Sequence, residues 1–153
     1  MQVSAGFTHS LALTAEGDVV AFGSSEHGEM GGSGDPRGTL VVNPSLGAGE
    51  RAVQLSAGFY TSAAVTAAGR VYTWGRNDRG QLGHPIDVDT SGSGGGGGGR
   101  KKVSCVEKPT VVRAFLSGSG GGGGGKVHQV ETCVASTMFT TEVGLCTLNE
   151  VDP

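Results

Sequence analysis

The chain has 153 residues, 16% of them charged, and carries a net charge of -3. That leaves no basic field to draw it onto phosphate backbones or anionic lipid, so direct nucleic-acid binding is not expected. No apolar run approaches the roughly 20 residues of a membrane-spanning helix, and a soluble protein without membrane contact is expected.

From Gln2 onward the chain reads as short strands separated by glycine turns. Val3-Ser4-Ala5 is a strand end, and Ser10 to Thr14 alternates polar and apolar at period two, as a half-buried strand does. Ala15-Glu16-Gly17 follows as a tight hairpin loop in which Gly17 takes the positive-φ position. Asp18 to Phe22 returns as the partner strand, and Gly23 closes it. After the loop from Gly31 to Pro36, Leu40-Val41-Val42 ahead of Pro44 suggests a short edge strand, where proline is tolerated.

A second unit then repeats the layout. Val53 to Ser56, Ser62 to Thr66, the turn Ala67-Ala68-Gly69 and Arg70 to Trp74 recur in the same order. With no gap, Gly6, Gly17, Gly23, Gly28 and Gly31 fall on Gly58, Gly69, Gly75, Gly80 and Gly83, each 52 residues on. Five glycines in constant register mark a repeat protein. Tyr72 and Trp74 share one face of their strand, where Val20 and Phe22 lie in the first copy, and this face is expected to pack on the neighbouring unit.

A third unit is interrupted by two identical tracts, Ser91 to Gly99 and Ser117 to Gly125, each Ser-Gly-Ser followed by six glycines. With no side chains to bury, each should be a flexible connector spanning roughly 15–18 Å. Such a tract, used twice, fits an inserted linker or slippage in a glycine-coding stretch. Lys108 to Val112 resembles the segment at Pro44. Val127 to Val130 and Ser136 to Thr141 supply strands, Gly144 takes the turn position, and Asn149-Glu150 stand where Trp74-Gly75 would recur. The resulting division is unit 1 at 1–52, unit 2 at 53–90, linker 91–99, a blade strand segment at 100–116, linker 117–125 and a degenerate, truncated third unit at 126–153.

The pattern Val-x-Ala-Gly, Ser-x-Ala-(Leu/Val)-Thr-x-x-Gly-x-Val, (Trp/Phe)-Gly and then Gly-Gln-Leu-Gly resembles the repeat of the regulator of chromosome condensation family. Val3 to Gly31 carries it with Phe22 for the tryptophan and Glu29-Met30 for Gln-Leu. Leu55 to Gly83 carries it with Thr61 where a histidine is usual. The resemblance implies an all-β fold, a partial β-propeller of two to three four-stranded antiparallel blades, out of a family ring of about seven. A closed ring would need on the order of 360 residues. The chain is thus a fragment, a chain with loops replaced by linkers, or a piece completed by other copies or another subunit. Its uncovered sheet faces and edges predict association rather than a stable isolated monomer.

Candidate chemistry is sparse. Gly120, Gly125 and Lys126 approach a phosphate-binding loop, but Val127 stands where Ser or Thr would hold magnesium, and no cofactor is expected. His9, His27, His84 and His128 are scattered without metal-site spacing, so neither a metal site nor a catalytic residue is assigned. His9 is expected to hydrogen-bond nearby backbone. Cys133 and Cys146 are placed as a reduced, half-buried pair on adjacent strands. With Cys105 they make an odd count with no Cys-x-x-Cys spacing, which indicates a reducing intracellular compartment, cytoplasmic or nuclear.

The charged loop Arg76-Asn77-Asp78-Arg79, at a propeller rim, is the candidate partner-binding site. Repeat architecture without a catalytic constellation points to a non-enzymatic protein–protein interaction module, its partners other protein chains, including further blades or a small GTPase. The alternative that the resemblance implies is guanine-nucleotide exchange on a small Ran-like GTPase with chromatin association. The plant ultraviolet-B receptor branch uses clustered tryptophans, and Trp74 is the only tryptophan here.

Overall fold

Period-two alternation and positive-φ glycine together build the first sheet. The structure, a computed structural model, describes residues 1–32, 41–43, 46, 49–86, 104–112, 126–133, 136–141 and 144–148. Strand β2 (His9–Leu13) and strand β3 (Val19–Gly23) pair antiparallel in the register Leu11↔Ala21 and Leu13↔Val19. Gly17 turns the chain between them at φ 87°, donating its N–H to the Thr14 carbonyl. Strand β1 (Gln2–Ala5) pairs with β2, and β4 (Val41–Asn43) with β3, giving the order β1-β2-β3-β4.

The second sheet repeats this order with β5 (Ala52–Ala57), β6 (Thr61–Thr66), β7 (Val71–Arg76) and β8 (Cys105–Val111). Here β8 closes the second sheet as Val41–Asn43 closes the first. Pro109 sits in this outermost strand, where a missing N–H interrupts no ladder on the far side. The third sheet holds β9 (Val127–Thr132), β10 (Thr137–Thr141) and β11 (Gly144–Leu148), with β10 central. Gly144 opens β11 opposite Thr141 instead of standing in the turn itself. Both Ser-Gly-Ser tracts and Asn149-Glu150 lie outside the described residues. No helix among those described is long and apolar enough to cross a membrane.

The sheets stack face to face. Leu11, Leu13, Val19 and Ala21, the front of the first, pack with Leu55, Ala64, Tyr72 and Trp74, the back of the second. Ala63, Val65 and Val71, the front of the second, pack with Val127, Val130 and Phe139 of the third. Position in the stack therefore sets burial along each central strand. β2 alternates between buried and half-buried residues, whereas β6 is buried along its whole length because it has a sheet on either side. The small residues Ser62, Ala63 and Ala64 let both neighbours approach it.

First strands lie side by side and are clasped by side chains that bridge to the next backbone. The Gln2 carboxamide donates to the Leu55 carbonyl and accepts from the Leu55 N–H, both at 2.9 Å. Ser4 Oγ accepts from Ala57 N at 2.9 Å. One unit on, Gln54 Oε1 accepts from Val130 N at 3.1 Å, and Ser56 Oγ from Thr132 N at 3.0 Å.

Two expectations change. The Tyr72–Trp74 face is an inter-sheet face as expected, but its counterpart is open: Phe22 is 37% and Val3 68% exposed, because no described residue packs on the back of the first sheet. Cys133 and Cys146 are not on adjacent strands, since β10 lies between β9 and β11. Cys133 is exposed, with Sγ 2.9 Å from Ser136 Oγ.

Candidate interaction surface

The loop after β7 is folded on itself before it meets anything else. Asn77 is wholly buried and ties the loop from within: its Oδ1 accepts from Leu82 N at 3.1 Å and its Nδ2 donates to the His84 carbonyl at 3.1 Å. Arg76 grips Asp78 through two parallel bonds, Nε to Oδ1 at 2.9 Å and Nη2 to Oδ2 at 2.6 Å. Gln81 Nε2 adds a third bond to Asp78, and Gln81 Oε1 receives the Arg79 N–H. Burial pushes the Asp78 carboxyl up, but the hydrogen bonds from Arg76 and Gln81 and the Arg76 charge outweigh it and hold the carboxyl below its ordinary value. The Asp78 hydrogen bond in turn raises Arg76, so the pair stays ionised.

Beside this loop lies an aromatic cluster that the sequence reading missed. Phe7 and Phe59 stack with centroids 4.2 Å apart, and Tyr60 meets Phe7, Phe59 and His27 edge-on at 5.8, 4.5 and 4.7 Å. The Arg76 guanidinium stands 5.8 Å from the Tyr60 centroid, in cation–π range. Phe7 is 62% exposed. The available signal was Phe7 and Phe59 at the repeat spacing, each just after the Ala-Gly that ends a first strand. Phe59, Tyr60 and Thr61 on one side and Arg76, Asp78, Arg79 and Gln81 on the other enclose a cavity of about 120 Å³. Arg76, Asp78 and Arg79 thus reach a common surface, while Asn77 supports it from below.

His9 sits elsewhere than expected, bonded to a side chain across the first inter-sheet interface. Its Nε2 lies 2.8 Å from Ser62 Oγ, and Ser62 donates its own proton to the Glu29 carbonyl at 2.8 Å. Ser62 has one proton to give, so His9 Nε2 must be the donor of the first bond and Nδ1 carries the lone pair. Trp74 Nε1 donates to the same Glu29 carbonyl at 2.7 Å. At the second interface the equivalent carbonyl, that of Gln81, receives Thr137 Oγ1 at 2.9 Å.

Burial lowers the His9 pKa from 6.5 to about 4. The unfolded chain therefore binds the proton more readily, so stability is full above about pH 6.5 and declines toward pH 4, by on the order of 3 kcal/mol. His84, also lowered by burial, adds in the same direction. Thermal melts across that window should show the decline, and H9T, which installs the residue of the second repeat, should remove most of the slope. An unchanged slope in H9T would place the titration elsewhere.

Among the described residues no group of three His, Cys, Asp or Glu side chains is arranged to hold a metal ion.

Successive antiparallel sheets, stacked face to face and clasped through their first strands, define a partial β-propeller. The chain belongs to the family described as the regulator of chromosome condensation (RCC1) repeat, whose repeats match residues 2–29, 52–81 and 68–132. It is 45% identical over 88 residues to the human E3 ubiquitin-protein ligase HERC2, covering 57% of this chain and 2% of that protein. To the mouse regulator of chromosome condensation it is 35% identical over 85 residues, covering 54% of this chain and 20% of that protein. Human WBSCR16 superimposes with a TM-score of 0.69 at 22% identity, covering 93% of this chain and 31% of the other. Yeast RCC1 (Prp20), in its complex with Kap60, gives 0.70 at 20% identity, covering 95% and 31%. The chain thus spans about a third of the length of these solved propellers and a fifth or less of these two relatives.

Proposed function

We propose that the chain is a non-catalytic protein–protein interaction module, a propeller segment that works within a larger assembly. Its partner surface is the rim formed by Phe7, Phe59 and Tyr60 with Arg76, Asp78 and Arg79. The observation that carries this reading is the aromatic stack, open to solvent at Phe7 and half-buried at Phe59, beside a charged loop already braced by Asn77 and Gln81. Aromatic and arginine side chains held rigid before contact are the residues that anchor protein interfaces, because little entropy remains to be lost on binding. A relative seen in complex with Kap60 supports propellers of this family as docking platforms. An intracellular setting, cytoplasmic or nuclear, goes with an odd number of cysteines at no Cys-x-x-Cys spacing. Nucleotide exchange is not proposed, since the chain spans only 31% of the yeast propeller.

The test is hydrogen exchange on the protein with and without partners captured from cell extract, alongside the double variant Phe7→Asp, Arg79→Glu. Protection is expected at Phe59–Thr61 and Arg76–Gln81, and the double variant should lose the captured protein by at least tenfold. Equal capture by the folded double variant would sink the assignment of this surface.

A further inference from the structure

The contacts between consecutive sheets follow a spacing that carries on past both ends of the stack. Gln2 and Gln54, and Ser4 and Ser56, supply the clasping side chains and stand 52 residues apart. The positions that receive them, Leu55 and Val130, and Ala57 and Thr132, stand 75 apart, counting the intervening tracts. Moving 75 residues on from Gln54 and Ser56 arrives at Gln129 and Glu131 on β9, both exposed. Moving 52 back from Leu55 and Ala57 arrives at Val3 and Ala5 on β1, also exposed.

The faces behind these positions match as well. Glu131 pairs across the sheet with Met138, and Gln129 with Thr140, which in turn pairs with Leu145, so all lie on the front of the third sheet. Leu145 is 65% exposed there. Val3 pairs with Ala12, Ala12 with Val20, and Ser10 with Phe22, which places these residues together on the back of the first sheet. This is the face that, one unit later, is Leu55, Ala64, Tyr72 and Trp74 and is buried against its neighbour.

We propose that the chain associates head to tail, the front of the third sheet of one copy docking on the back of the first sheet of a second copy. Gln129 bonds the Val3 backbone as Gln2 bonds that of Leu55. The Glu131 carboxylate accepts from the Ala5 N–H where a serine hydroxyl serves in the other clasps. Phe22 takes the inter-sheet place held by Trp74. The occupant is a second copy because the chain itself carries both halves of the contact, and the contact continues an interface already formed twice within it. Since the two faces differ, the contact is heterologous and propagates instead of closing as a two-fold dimer.

Sedimentation velocity on the full chain over a micromolar concentration series tests this. Unmodified protein is expected to grow beyond the monomer with concentration. Phe22→Asp and Met138→Asp, one on each face, should each be monomeric, and mixing them should produce a discrete dimer, because together they keep one intact pair of faces. Val3→Asp and Leu145→Asp, at more exposed positions, repeat the test where folding is least perturbed, with far-UV circular dichroism confirming retained strand content. A monomer throughout the series overturns the proposal. So does a mixture of the two variants that stays monomeric, and so does either variant that dimerises alone, which would mean that its intact face pairs with itself.

Discussion

Replacing Trp74 by alanine is expected to destabilise the protein by about 4 kcal/mol, read as a fall in the urea midpoint. The indole is the largest wholly buried side chain, and it lies in the core shared by the first two sheets. Its loss empties that core and removes the donor to the Glu29 carbonyl, leaving Ser62 alone to bridge there. Against a total stability of roughly 5–15 kcal/mol, such a change removes between about a quarter and four fifths of what keeps the chain folded. Trp74→Phe, which installs the residue found at the same place in the first repeat, keeps most of the apolar volume. It should cost only about 1–2 kcal/mol, mainly for the lost hydrogen bond. Equal midpoints for Trp74→Ala and the parent protein would show that the sheets do not depend on this contact.

Gly75→Ala should follow closely, at roughly 2–4 kcal/mol, through two separate effects. Gly75 has φ 106°, which side chains rarely adopt, and a Cβ there would stand 2.4 Å from the Tyr60 carbonyl oxygen. That carbonyl belongs to backbone and cannot swing aside, and it also accepts the Arg76 N–H at 2.9 Å. The substitution therefore strains β7 and displaces both Tyr60 and the start of the charged loop, so rim contacts should weaken along with stability. Gly49→Ala isolates the backbone effect. Gly49 has φ 78° with nothing within 4 Å of the added carbon, and about 1 kcal/mol is expected. If Gly49→Ala and Gly75→Ala cost the same, the close approach to Tyr60 contributes nothing.

Much of the fold was legible along the chain. Leu11 and Leu13 at period two, Gly17 at a turn, and glycines in register 52 residues apart led to antiparallel hairpins and then to repeats. Trp74 and Gly75 marked the end of a strand, and the pairing of β6 with β7 puts them opposite Ser62 and Thr61. The candidate surface was half legible. Arg76 to Arg79 stands out as a charged run, but nothing local distinguishes Asn77, which braces the loop, from its neighbours on the surface. The aromatic cluster was less visible still, since Phe7 and Tyr60 meet only when the first and second sheets are stacked.

What the sequence determined by itself is the unit: its length, its strands and its turns, because hydrophobic alternation and positive-φ glycine act within a few residues. Tertiary structure alone decided which faces are covered. Phe22 and Trp74 hold equivalent places in their repeats, yet one is 37% exposed and the other wholly buried, since burial depends on whether a neighbouring sheet lies against the face. The same holds for His9, whose ring is held by Ser62, 53 residues away, across an interface that no local pattern specifies.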